Sequence, residues 1–203
     1  MLTVGSLFSG IGGLDLGLEH AGMEVRWQVE IDPFCQCALA KHWPEVTRYG
    51  DIKELSGEEL EPVDLICGGF PCQPVSVAGN RKGTADERWL WPEYARLLRV
   101  VRPRYVLIEN VPGLLSANHG RAFGEVLSDL AALGYDAEWT MLQAAWFGAP
   151  HKRERLFLVA DTCGGTGRRY FDGQHDLPRD RQWEATKGIH DWAGWKRWLI
   201  EAN

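Results

Sequence analysis

The sequence has no apolar run approaching the roughly 20 residues that span a bilayer, and its start, Met1-Leu2-Thr3-Val4, has no basic segment of the signal-peptide kind. Cytoplasmic residence is therefore expected. Cysteine is sparse: Cys35, Cys37, Cys67, Cys72 and Cys163 make an odd set without a C-x-x-C pair. That excludes a disulfide framework, predicts no metal site, and fits free thiols in a reducing compartment. Positive charge is also short. The net charge of −6 excludes a chain that binds polyanions by bulk charge. The deficit is uneven: residues 1–150 hold 12 Lys/Arg against 20 Asp/Glu, and residues 151–203 hold 10 against 8. Lys152-Arg153-Glu154-Arg155 and Arg168-Arg169 can meet phosphates, although a solvated surface explains Arg168-Arg169 equally well. No internal repeat is present.

What is present is alternation. Leu2–Phe8, Val25–Val29, Val63–Cys67, Tyr105–Ile108 and Leu156–Ala160 read as strands. Leu14–Ala21, a segment opened by Pro33, Trp89–Val101 and Arg121–Leu133 read as helices, with Gly22 and Gly134 as stops and Pro33 in a first turn. Such alternation predicts an α/β fold, a mostly parallel sheet with helices on both faces. Ligands of such sheets bind beyond the strands' carboxyl ends. Residues 1–160 read as one cofactor-binding and catalytic domain. After Asp161 the composition shifts: 162–180 is rich in Gly, Arg and Asp and reads as loop, and 189–200 reads as a short helix bearing Trp192, Trp195, Trp198 and Leu199.

The chemistry-bearing residues fall at those carboxyl ends. Phe8-Ser9-Gly10-Ile11-Gly12-Gly13 leaves one strand and opens a helix, where glycines admit a ligand to the backbone and free N–H groups await it. Glu30 ends the next strand, placed to hold ribose hydroxyls or to remain a solvated carboxylate. Asp51 can accept from an adenine amino group or simply form a turn. These features alone also suit a nicotinamide-dependent oxidoreductase. The third strand's exit decides otherwise: Gly68-Gly69-Phe70-Pro71-Cys72-Gln73-Pro74-Val75-Ser76 displays a cysteine after a proline, and the fourth strand leaves as Ile108-Glu109-Asn110-Val111-Pro112. A thiol and a carboxyl on neighbouring strand ends suit attack on an unsaturated ring with proton donation.

Phe8–Gly13, Pro71-Cys72-Gln73, Glu109-Asn110-Val111 and Lys152-Arg153-Glu154-Arg155 stand in the order and spacing of the cytosine-C5 DNA methyltransferases, and residues 2–160 resemble that family throughout. The resemblance implies a Rossmann-like S-adenosylmethionine-dependent fold and methyl transfer to cytosine in double-stranded DNA, often within restriction-modification, in a bacterial or phage setting. It implies Cys72 as nucleophile, Glu109 as acid, Arg155 on the cytosine O2 and Arg153 placing Cys72 and the base. Phe8, Gly10, Gly12, Glu30, Ile31, Asp51, Ile52 and Pro71 match the cofactor contacts. Gln73, Ser76 and Arg88 fall in the loop that closes over a flipped base.

The sequence departs from the family at His151, where Gln is usual, and in its last part. The family continues into a target-recognition region and an Asn-containing segment that packs on the cofactor. Here the only Asn after residue 118 is Asn203. Residues 161–203 are therefore expected to be the start of a shortened recognition region, or a docking surface for a second polypeptide supplying the rest; the Trp192, Trp195, Leu199 stripe is expected to pack back onto the first domain or to dock that partner. Three readings compete: a catalytic core needing a further polypeptide, a self-sufficient enzyme acting on tRNA, and a remnant without turnover. Phe70 ahead of Pro71-Cys72 resembles the DNA-methylating branch.

Overall fold

The computed structural model describes residues 1–71 and 89–162. Strand β1 (Thr3–Leu7) leads through the glycine loop to α1 (Gly13–His20). Then follow β2 (Glu24–Val29), α2 (Pro33–His42), β3 (Thr47–Tyr49) and β4 (Leu65–Gly68). Beyond the undescribed residues come α3 (Trp91–Val101), β5 (Tyr105–Asn110), α4 (Arg121–Ala132), β6 (Tyr135–Gln143) and β7 (Glu154–Thr162). The seven strands form one sheet in the order β3-β2-β1-β4-β5-β7-β6. The first five pair in parallel; β7 runs antiparallel to both β5 and β6.

Two elements escape the sequence reading. Strand β3 has only three residues, too few for a periodic signal. Strand β6 alternates Tyr135, Ala137, Trp139, Met141 with Asp136, Glu138, Thr140, and it begins at Tyr135, immediately beyond the Gly134 that closes the preceding helix. Strand β5 also extends past the expected Ile108, so Glu109 and Asn110 belong to the strand rather than its exit. Strand β7 runs to Thr162, past the expected boundary at 160. The expected helix over 189–200 and the loop over 163–180 lie outside the described residues.

Local chemistry explains the helices. Asp32 caps α2 by accepting the Cys35 N–H at 3.0 Å, with Pro33 in the first turn. Helix α3 begins at Trp91-Pro92 and buries Trp91, Tyr94, Ala95, Leu97 and Leu98. It is tied to α4 by indole N–H bonds, Trp89 to Glu125 at 3.2 Å and Trp91 to Asp129 at 2.8 Å.

Alternation divides the sheet's faces. Leu7, Val29, Ile66, Val106 and Ile108 join one core with α3 and α4. The opposite face carries Val4, Val25 and Cys67, and α1 packs on it. Because β1, β2, β4 and β5 run the same way, the loops leaving them gather along one sheet edge. No helix among the described residues is long and apolar enough to cross a membrane.

Candidate active site

The loop between β1 and α1 is wound tightly. Phe8, Gly10 and Gly12 all have positive φ, at 53°, 56° and 86°. The Gly12 N–H bonds the Ser9 carbonyl at 2.9 Å, and the Ser9 N–H bonds the Val29 carbonyl at 3.1 Å. Gly12 must be glycine for a second reason: a Cβ there would run into the ring of Trp43, which is itself fixed by an N–H bond to Glu19 at 2.8 Å. Gly12→Ala should therefore destabilise the protein by about 2–4 kcal/mol, from left-handed strain plus displacement of the indole. Urea unfolding measures this; a loss below about 1 kcal/mol would mean that Trp43 swings aside freely.

Gly10 differs. A Cβ there would meet nothing within 4 Å, so the loop's tip faces open space. Its N–H is taken by Glu30, whose Oε2 accepts it at 2.7 Å while Oε1 accepts the Asp32 N–H at 2.8 Å. Glu30 thus ties the two strand ends together, and each oxygen keeps a further lone pair for a hydroxyl. Ile31, 65% exposed, offers an apolar face beside it. Asp51 spends Oδ1 on the Lys53 N–H at 2.9 Å, the turn-forming role that the sequence left open. Ile52 is 3% exposed and belongs to the core on the α3 side, so its side chain does not join the cleft. An open glycine tip, a carboxylate for hydroxyls and an apolar face for a base fit a nucleoside-bearing cofactor.

A cleft of about 350 Å³ opens beside this loop, lined among others by Phe8, Ser9, Gly69, Glu109 and Arg153. Register explains the meeting. Glu109 pairs with Phe157 across β5 and β7, and Arg155 lies two residues along on the same face. The diagonal brings Arg155 Nε to 3.0 Å from Glu109 Oε1. The other oxygen lies over Gly69, where a Cβ would stand 2.8 Å from Oε2 and 3.2 Å from the Glu109 carbonyl oxygen, so a side chain there would push the carboxylate aside. Arg153, just before β7, is exposed at the cleft with a positive φ of 34°. His151, also exposed, precedes it.

The exit from β4 is pinned before it leaves the described residues. Phe70 is buried against Trp89, Trp91 and Tyr94. Its carbonyl accepts from Asn110 Nδ2 at 3.0 Å, and Asn110 Oδ1 accepts the Val111 N–H at 2.9 Å. Pro71 follows, half-buried. Cys72, Gln73, Ser76 and Arg88 lie outside the described residues. Cys67 is no alternative nucleophile: it is wholly buried, and burial pushes its thiol up. Burial, with the carboxylates of Glu30 and Asp32, also pushes Cys35 up.

Sequence reasoning missed a polar cluster under the glycine loop. Asp15 is fully buried, yet accepts from Ser6 Oγ at 2.9 Å and Gln28 Nε2 at 2.8 Å. Burial raises its carboxyl above the usual range, against the lowering by those two bonds. Between Leu14 and Leu16 it reads as one polar residue on a solvated helix face, and nothing local says otherwise.

This seven-stranded sheet, with its glycine loop after β1 and a paired acid and arginine at the ends of β5 and β7, is that of a Rossmann-like S-adenosylmethionine-dependent methyltransferase. The chain belongs to the family described as C-5 cytosine-specific DNA methylase, which matches residues 2–193. It is 36% identical over 182 residues to the Type II methyltransferase M2.BsuMI of Bacillus subtilis, covering 87% of this chain and 46% of the relative. It is 38% identical over 154 residues to the Type II methyltransferase M.DsaV of Dactylococcopsis salina, covering 75% and 44%. The chain therefore spans about half the length of the curated relatives it matches. Among solved structures, a protein described as a DNA modification methyltransferase encoded within an E. coli prophage superposes with a TM-score of 0.68 at 31% identity, over 80% of this chain and 47% of that one. A mutant of Spodoptera frugiperda DNMT2 shares the fold, with a TM-score of 0.67 at 23% identity, over 82% and 51%.

Proposed function

We propose that this chain is the catalytic core of a DNA cytosine-C5 methyltransferase working through a covalent Cys72 adduct. The observation that carries the reading is the Glu109–Arg155 pair, 3.0 Å apart on the wall of the cleft that also holds the glycine loop and Arg153. Cytosine C5 is a weak nucleophile. Addition of a Cys72 thiolate to C6, while Glu109 gives a proton to N3, makes C5 enamine-like and splits one hard step into two. Arg155 holds Glu109 in place and is near enough to the same edge to take the cytosine O2. Arg153, which lines the same cleft, would help place Cys72 and the base. S-adenosylmethionine supplies the electrophilic methyl group; Phe8, Gly10, Gly12, Glu30, Ile31, Asp51, Ile52 and Pro71 are the positions that would hold it. Loss of the C5 proton with expulsion of Cys72 then gives 5-methylcytosine. The base must leave the duplex to reach this cleft, and Gln73, Ser76 and Arg88 are the loop residues that would cover it. Type II methyltransferases among the relatives support DNA over tRNA as substrate, in the cytoplasm of a bacterial cell.

The same reading assigns target recognition and cofactor closure to polypeptide beyond these 203 residues. Ile11 and Phe34 are 63% and 78% exposed close to the cofactor loop, an apolar surface that a further segment would cover. Residues 1–203 alone should bind S-adenosylmethionine weakly and methylate DNA slowly or not at all. A separate polypeptide carrying a recognition region and an Asn-containing segment should restore both. The assay is transfer of tritiated methyl to DNA, with tRNA in parallel, plus calorimetric cofactor affinity, each with and without that polypeptide. Rapid, sequence-specific methylation by residues 1–203 alone would overturn the need for it, and transfer to tRNA in preference to DNA would overturn the substrate.

A further inference from the structure

The polar cluster beneath the glycine loop has no packing rationale. Helix α1 rests on a sheet face that is otherwise apolar, and apolar residues at positions 6, 15 and 28 together would fill that site without desolvating a carboxylate, a replacement that is often neutral or stabilising where charges are buried. Instead Asp15 is 0% exposed, with Ser6 at 1% and Gln28 at 0%. Register puts Ser6 beside Gln28 on adjacent strands, their side chains on the α1 face. Asp15 meets both from the first turn of α1, where the helix N-terminus favours a carboxylate.

The positions of the three residues matter. Ser6 lies two residues before Phe8, where the loop begins, and Asp15 lies two residues after Gly13, where it ends. The Ser6–Asp15 bond therefore closes the loop at its base. Gln28 lies two residues before Glu30, which grips the Gly10 N–H at the tip. The loop holds three left-handed residues, one of them Phe8. Such conformations cost free energy and persist only where the surroundings over-determine them.

We propose that Asp15 is a positioning residue: its carboxylate, bonded to Ser6 on β1 and Gln28 on β2, clasps both ends of the Phe8–Gly13 loop and holds its backbone in the left-handed geometry that takes the cofactor. The inference rests on the S-adenosylmethionine reading of the cleft. It carries a specific corollary. Gln28 Oε1 is buried without a hydrogen-bond partner. An asparagine at position 15 can accept from Ser6 and donate to Gln28 once that amide turns over. Asp15→Asn therefore keeps the clasp, while Asp15→Ala breaks it.

The test follows backbone amides by NMR in the 203-residue chain, first by hydrogen exchange without ligand, then by titration with S-adenosylmethionine, which suits weak binding. In Asp15→Ala, exchange at Gly10 and Gly12 should quicken about tenfold or more while Val25 and Leu97 change far less, and the dissociation constant should rise about tenfold or more. Asp15→Asn should return both to near the parent values. Should the alanine variant fail to fold, Ser6→Ala, which removes one of the two bonds, should show the same loop-specific change at smaller size. Unchanged loop exchange overturns the clasp. So does acceleration spread evenly over loop, sheet and α3, which would mark Asp15 as merely structural, or an asparagine variant that folds but behaves like alanine. If the unsubstituted chain shows no amide shift with S-adenosylmethionine, the cofactor reading fails, and the exchange data still decide whether Asp15 orders the loop.

Discussion

Cys72→Ser should abolish methyl transfer while leaving S-adenosylmethionine affinity unchanged, measured once the remaining polypeptide has been supplied. A serine hydroxyl is hardly ionised near neutral pH, and the thiolate is the attacking form of cysteine. None of the other described thiols, Cys35, Cys37 and Cys67, lines the cleft. Cys67 sits wholly buried within β4 with its thiol pushed up, and Cys35 is pushed up as well. The chain reaches Cys72 from a fixed point, since Phe70 is packed among Trp89, Trp91 and Tyr94 and its carbonyl is held by Asn110. Duplex DNA carrying 5-fluorocytosine at the target should trap a stable adduct with the parent protein and none with the serine variant. Parent-like rates in Cys72→Ser would remove covalent catalysis from the account.

Much of this site was legible because its parts sit where the chain changes from strand to helix or loop. Glycine and proline mark those places in the sequence. Phe8–Gly13 announces itself by composition, and Glu109 by its place at the end of an apolar strand. Partnership across the sheet was not legible. That Arg155 reaches Glu109 depends on β7 running antiparallel beside β5, and a strand's sequence does not carry its direction. Strand β6 went unread although it alternates cleanly, because its outer residues Asp136, Glu138 and Thr140 make an edge strand look like surface loop. Glu30 held a different surprise. The sequence left it to hold ribose hydroxyls or to stay solvated, yet in the fold it binds two backbone N–H groups. The cofactor would therefore meet a carboxylate that the protein has oriented beforehand.

Asp15 shows the limit most clearly. A carboxylate at that position is written the same way whether it faces water or the interior. Only the register of β1 on β2 reveals that Ser6 and Gln28 stand beneath it. Gly69 is similar: the sequence suggests a turn, whereas in the fold the missing Cβ lets the Glu109 carboxylate lie close over the backbone.

Glu109→Gln should lower the methylation rate by about 10²–10⁴-fold, the usual worth of general acid catalysis. The substitution is informative because the surroundings can accept it without rearrangement. A glutamine carbonyl oxygen can still take the Arg155 Nε–H where Oε1 now does, at 3.0 Å, and Gly69 leaves the same space for the amide nitrogen. The shape of the cleft and the position of Arg155 are therefore retained. What is lost is the proton that N3 must receive as the Cys72 thiolate adds to C6. An amide can still donate a hydrogen bond there, so base binding should fall much less than turnover. The measurement is single-turnover methylation of duplex DNA by the completed enzyme, with DNA affinity determined separately. Adduct formation with 5-fluorocytosine DNA should slow in step with turnover under the proposed role of Glu109 at the addition step. A rate within about fivefold of the parent would show that Glu109 holds the base in place but transfers no proton.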